Sequence, residues 1–332
     1  MMRVSCVLAL VLSFACGGGD AEEDVTEIGT TGGEVEPPPP PPLDPLALMP
    51  VDSLTVTTFE VGRLRTSPYY PTVHGWLELI SEISPRQREA IDVALASTEL
   101  AHVSLVNQPC ATKCWTLASI FLASSMDASA ANAALQQAVE DETFAPREVV
   151  GLPAFGNSQG AMVNVEPGKY LLGPFQYIEP PLQQPERPRA ETNAAVASAM
   201  QALAGGDAMI RGWVVGDATT QSLLARETPF SARLTSMVLG AAYRAELSNG
   251  LVLDVVATTA DPASASTLAD ALRSEIDALT SGLPARAMGI RVLGEATTVR
   301  VVGNQAHLTL QLSDEQLRPL LRRVDGLLRL VN

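Results

Sequence analysis

Two stretches of this chain, 134 residues apart, spell the same local structure. Leu122-Ala-Ser-Ser-Met-Asp127-Ala-Ser-Ala-Ala corresponds to Val256-Ala-Thr-Thr-Ala-Asp261-Pro-Ala-Ser-Ala at a constant offset. Before each Asp the side chains alternate. Leu117, Ser119, Phe121 and Ala123 match Leu251, Leu253, Val255 and Ala257, the period-two pattern of a strand with one buried face. After each Asp the period becomes helical. Ala265, Leu268, Ala269, Leu272, Ile276 and Leu279 share one stripe, answered in the first copy by Ala131, Ala134, Leu135 and Ala138. Asp127 and Asp261 then stand where an N-cap accepts orphan backbone N–H bonds, a role that accounts for both carboxylates without invoking catalysis.

Each copy extends outward in the same order. Opening strands at residues 53–59 and 208–215 are each followed by a helical stretch and a hairpin. The second hairpin turns at Ser248-Asn249-Gly250, the first through a cysteine-bearing loop. Downstream, residues 163–166 and 299–302 lead through Pro167-Gly168 and Gly303-Asn304 into closing strands. This order predicts an α+β fold class with two tandem ferredoxin-like (β-α-β-β-α-β) repeats, each with its own antiparallel sheet. Prolines at 174, 180, 181, 185 and 188 separate the copies. The expected division is therefore repeat 1 over 51–175, a Pro-rich linker over 176–190, and repeat 2 over 191–332. Repeat 2 ends in a helix whose Leu317, Leu320, Leu321, Val324, Leu327, Leu328 and Val331 form an apolar stripe beside four arginines. Such a helix either closes the second sheet or docks on a membrane or partner.

Ahead of the repeats, Met1-Met2-Arg3 precedes an apolar run from Val4 to Phe14 and then Ala15-Cys16-Gly17. This pattern describes a signal peptide over 1–15, too short to span the roughly 30 Å core of a bilayer. Ser13-Phe14-Ala15-Cys16 resembles the lipobox of bacterial lipoproteins, in which the Cys thiol is diacylated and becomes the mature N-terminus. The resemblance implies lipidation of Cys16 and, with Gly17 rather than Asp following it, placement at the outer membrane. Residues 16–50 read as a tether, with eight acidic residues, no basic one and six consecutive prolines from Pro37 to Pro42. No other run reaches the 18 or so apolar residues of a membrane-spanning helix. The duplicated body behind the tether resembles duplicated-domain lipoproteins of Gram-negative bacteria.

Charge excludes one class of partner. With 37 Asp plus Glu against 22 Lys plus Arg, the chain carries −15 and lacks the clustered positive charge that a sequence-blind grip on nucleic acid requires. Cys6 leaves with the signal and Cys16 takes the lipid, so Cys110 and Cys114 remain, four positions apart between two strand-like runs. A structural disulfide stapling the hairpin loop is the expected use, with free thiols as the alternative. A metal or redox role has less behind it, because the pair lacks C-x-x-C spacing and His74, His102 and His307 form no ligand cluster. Gly156-Asn157-Ser158-Gln159-Gly160 matches G-x-S-x-G, which in hydrolases needs a strand before it and a helix after it. Here a strand and turn follow, so a Gly-rich hairpin loop competes with a nucleophile Ser158 served by Asp254 or Asp261 and His307. Trp76, Trp115, Trp213, Tyr69 and Tyr70 serve either as core anchors or as a groove lining. No motif calls for a cofactor. The leading expectation is a lipid-anchored, non-enzymatic binding or adaptor module for another envelope component. The alternatives are an envelope serine hydrolase using Ser158 and a structural or assembly factor.

Overall fold

Both copies run from an opening strand through helices to a hairpin, a helix and a closing hairpin, and the first carries one further hairpin. In the first these are β1 (Thr55–Phe59), α1 (Val61–Thr66), α2 (Tyr70–Gly75), α3 (Pro85–Ser97), β2 (Thr98–Gln108), β3 (Cys114–Ser124) and α4 (Ala128–Ala138). Two hairpins follow, β4 (Ala145–Val149) with β5 (Leu152–Gly156), and β6 (Gly160–Glu166) with β7 (Lys169–Pro174). Helices α5 (Phe175–Gln183) and α6 (Ala194–Ala202) lead to the second copy. That copy comprises β8 (Ile210–Val215), α7 (Ala218–Glu227), α8 (Ala232–Thr235), β9 (Gly240–Glu246), β10 (Gly250–Thr258), α9 (Pro262–Ser281), α10 (Arg291–Ala296), β11 (Thr297–Val302), β12 (Gln305–Ser313) and α11 (Asp314–Val331). The computed structural model describes residues 44–75, 84–108, 114–138, 144–185, 193–227, 232–282, 285 and 289–331, with backbone alone for 108, 114–115, 223–227, 232–233 and 327–331.

The matched stretches found in the sequence fall on equivalent elements. β3 and β10 are the third strands of their copies, and each Asp caps the helix that follows. Asp127 Oδ1 accepts from Ala130 N at 2.8 Å, and Asp261 Oδ1 from Ser264 N at 2.8 Å. The α+β class with antiparallel pairing holds; the separate ferredoxin-like sheets do not. All the strands belong to one 12-stranded sheet in the order β11-β12-β10-β9-β8-β1-β2-β3-β7-β6-β5-β4, every neighbouring pair antiparallel. A split unit inserts a strand between its first two. Here β1 lies directly beside β2, with Val56 opposite Ser104, and on its other side it pairs with β8, with Val56 opposite Trp213. Joining the two first strands removes two open edges that separate sheets would expose, which is the physical advantage of the merged arrangement.

Register parity assigns each side chain to one of two faces. One face carries Val56, Phe121, Val163, Leu171, Trp213, Val215, Ala242 and Val256, all of them at most 5 % exposed. Residues between the copies cover it: Ile178 of α5, and Val196 and Ala199 of α6, are fully buried. The opposite face holds the helices of the repeats themselves. Ala131 of α4 packs with Val103, Ile120 and Leu172, while Leu268 and Ala269 of α9 pack with Ala257 and Ala306. The first half of α11 closes this face at its end, burying Leu317 and Leu320 with Leu312 and Tyr69.

Two expected boundaries move. The tether expected through residue 50 ends sooner, because Pro45–Leu48 forms a 3-10 turn capped by Asp44, and Leu48 and Met49 are buried in the central core. Three apolar side chains (Leu46, Leu48 and Met49) are enough to plug the gap beneath α5 once a sheet is there to receive them. The Pro-rich linker likewise gives way over part of its length to α5, which holds Pro180 and Pro181 inside a helix. Burial of Ile178 and Pro181 on the sheet offsets the backbone bonds those prolines forgo.

Candidate functional site

The residues expected to carry chemistry do not converge. Cys16 and Cys110 lie outside the described residues, and the Cys114 side chain does too, so lipidation and the disulfide have no structural reading. β2 and β3 do meet around this loop, Gln108 opposite Cys114. Ser158 sits exposed at the tip of the β5–β6 hairpin. Asn157 builds that turn: its Oδ1 accepts from Gln159 N at 2.8 Å and Gly160 N at 3.0 Å, and its N–H donates to Gly160 O at 3.1 Å. Strand β6, not a helix, follows. His307 stands on β12, eight strand steps from β6 in the sheet order, about 38 Å at the usual spacing. The alternative Ser158–His307 relay is therefore not assembled, and the competing Gly-rich hairpin loop is what stands at this position.

The histidines are structural in their surroundings. His102, on β2, is 5 % exposed and its Nδ1 shares a 2.8 Å hydrogen bond with Thr58 Oγ1. Burial pushes its imidazole down to about 4, with the Arg211 guanidinium adding to the effect and Asp44 opposing it. His307 is buried as well, with Nε2 3.2 Å from Gln305 Oε1; burial, then Arg300, lowers its pKa. His74 meets Asp92 at 2.9 Å on the surface. Among the described residues no group of three or more His, Cys, Asp or Glu could hold a metal ion. Of the aromatic candidates, Trp213 and Tyr69 are core anchors, Trp76 lies outside the described residues, and so does the side chain of Trp115.

What the fold does assemble is polar and belongs largely to the second copy. Beyond α6 the sheet face is polar: Arg244 and Asp254, both part-buried, pair across β9 and β10 at 3.0 Å, Thr309 Oγ1 donates to Asp254 at 2.7 Å, and Arg244 also donates to Leu203 O and Gly205 O after α6. Arg63 and Glu246 (3.0 Å) and Arg211 and Glu60 (3.2 Å) continue the charged surface toward β1. A shallow cavity of about 190 Å³ lies beside Asp207, Arg244 and Asp254. A larger one, about 780 Å³, runs along the outer edge of β11 under α9 and α10. At the near end of α11, Tyr69 Oη donates to Asp314 at 2.6 Å, and the Arg318 guanidinium lies over the Tyr69 ring, 5.5 Å from its centroid. Burial, then the bond to Asp314, raises the Tyr69 phenol to about 12. Sequence reading missed this clasp and the β11 groove, since both join residues far apart in the chain; the β-branched run Thr297–Val302 announced only a strand.

Comparisons add no residue roles. No family model matches the chain, and no curated protein matches it. Among solved structures, crystal forms III, I and IV of TP0453 match with TM-scores of 0.48, 0.47 and 0.49. Identities are 10 %, 11 % and 10 %, over 85 %, 86 % and 86 % of this chain and 98 %, 98 % and 96 % of theirs.

Proposed function

We propose that this is a lipid-anchored protein of the cell envelope, held at the outer membrane through Cys16, whose folded body binds another envelope component without catalysis. The observation that carries the reading is the sequence Ser13-Phe14-Ala15-Cys16-Gly17 behind an apolar run, followed by an acidic, proline-rich spacer. Several acyl chains on one residue make a stable anchor, and a solvated spacer lifts the body away from the lipid surface. An adaptor role draws support from the part-exposed charged face of β8, β9 and β10, where arginines and carboxylates stand in pairs. The described helices include none long and apolar enough to cross a membrane. Replacing the anchor residue tests the reading: Cys16→Ser should move the protein from the membrane fraction to the soluble fraction of lysed cells. A variant that stays with the membrane to the same extent as the parent would overturn it. Affinity capture from detergent-solubilised envelope, with the tether intact, then identifies the partner.

A further inference from the structure

The two ends of the sheet differ in chemistry. β4, the edge strand of the first copy, is blunted: Pro146 lacks an N–H, and Arg147 and Glu148 stand exposed beside it. β11, at the other end, has five β-branched residues in six, no proline and one charge, Arg300. Val301 and Val302 are 36 % and 49 % exposed. The turn of Gly303, at φ 58°, and Asn304 pairs Val302 with Gln305. Alternation along an antiparallel ladder then turns the N–H and C=O groups of Val302, Arg300 and Thr298 toward β12, and those of Val301 and Val299 and the C=O of Thr297 outward, while Thr297 N–H donates back to Gly294 O of α10. The Arg273 guanidinium confirms the direction by donating to Val299 O at 2.7 Å from α9. Among the described residues no strand pairs with this edge.

We propose that β11 pairs antiparallel with β11 of a second copy of this chain, joining two sheets across a two-fold axis. An outward row of backbone donors and acceptors that water otherwise solvates is a ready template for another strand. Among the described residues the other sheet edge is β4, and Pro146 makes it a poor complement, so head-to-tail growth is disfavoured. An isologous β11 contact uses up the open edge and stops at two copies. Opposed residues must share a face, which restricts the register to those centred on a residue. Centring on Arg300 would oppose two like charges, which is destabilising. Centring on Val299 sets Val299 against its own copy, Arg300 against the partner's Thr298, and Val301 against the partner's Thr297. That register engages all three outward residues; because Thr297 N–H is already used within each chain, it forms about four inter-chain hydrogen bonds. α9 packs over β11 and β12, so the two α9 helices would lie about 10 Å apart, an ordinary helix-packing distance. The half-exposed Arg273 acts as a removable cap on the edge, satisfying Val299 O in the single copy.

The test uses the Cys16→Ser chain, which needs no lipid surface. Sedimentation velocity up to about 100 µM should show a monomer–dimer equilibrium with no larger species. Arg273→Ala should lower the dimer dissociation constant several-fold by freeing the carbonyl. On mild oxidation Val299→Cys should give a disulfide-linked dimer, since directly opposed residues lie within disulfide reach, whereas Thr298→Cys should link no more than the parent. A monomer at every concentration, dimers weakened by Arg273→Ala, or Thr298→Cys linking as well as Val299→Cys would each overturn the pairing.

Discussion

Single residues in this protein act through where the sheet places them. His102 carries an ionisable ring into the core, and its neighbour Thr58 takes the one hydrogen bond that the site supplies. With the folded pKa near 4 and an ordinary value near 6.5 when unfolded, the unfolded chain binds the extra proton between these limits. Stability therefore rises with pH across this window and is lost as pH falls from 6.5 toward 4. The loss amounts to about 3 kcal/mol when complete. Urea titrations at pH 7 and pH 4.5 should show it, and His102→Gln, which keeps a hydrogen-bonding side chain but cannot titrate, should flatten the dependence. Gly212 shows placement of another kind. Tyr243 on β9 reaches across β8 to bond Thr57 on β1 at 2.5 Å, passing over Gly212, where a Cβ would stand 2.5 Å from the phenol oxygen. The sequence shows a glycine in a strand, which signals close approach in general, but not whose side chain approaches.

Elements were legible where local chemistry decides them. The alternation before Asp127 and Asp261, the caps themselves and the turns at Pro167-Gly168 and Gly303-Asn304 all depend on residues within one turn of each other. The same locality hid α5 and the 3-10 turn at Pro45–Leu48. Their prolines favour extended chain, and only burial against a distant sheet overrides that preference. α6 is the element on which the two copies most depend, because Val196 and Ala199 fill the centre of the shared core. Its N-cap is Asn193, whose Oδ1 accepts from Ala195 N at 3.0 Å and Val196 N at 3.2 Å. Asn193→Ala should cost about 1 kcal/mol, read as a lower urea midpoint with an unchanged slope.

Across the molecule the duplication has become one body. Val56, Phe121 and Leu171 from the first copy and Trp213, Val215 and Val256 from the second belong to a single buried cluster beneath α5 and α6. Cutting the chain near residue 190 would divide that cluster and expose β1 and β8 as edges. Neither half should then fold alone: each should lack near-UV circular dichroism and aggregate, while the intact chain unfolds in a single thermal transition. A half with native-like dispersion in an amide NMR spectrum would refute this. The order of residues was enough for the α+β class, the matched strand-to-helix stretches around Asp127 and Asp261, their caps and several turns, since these follow from side chains near each other along the chain. The assembled sheet was needed to join β1 to β8, to set Ser158 and His307 at remote positions, and to place β11 and β4 at its two edges. Strand pairing is made by backbone groups that nearly every residue carries alike, so no local pattern names the partner; packing over the whole sheet does.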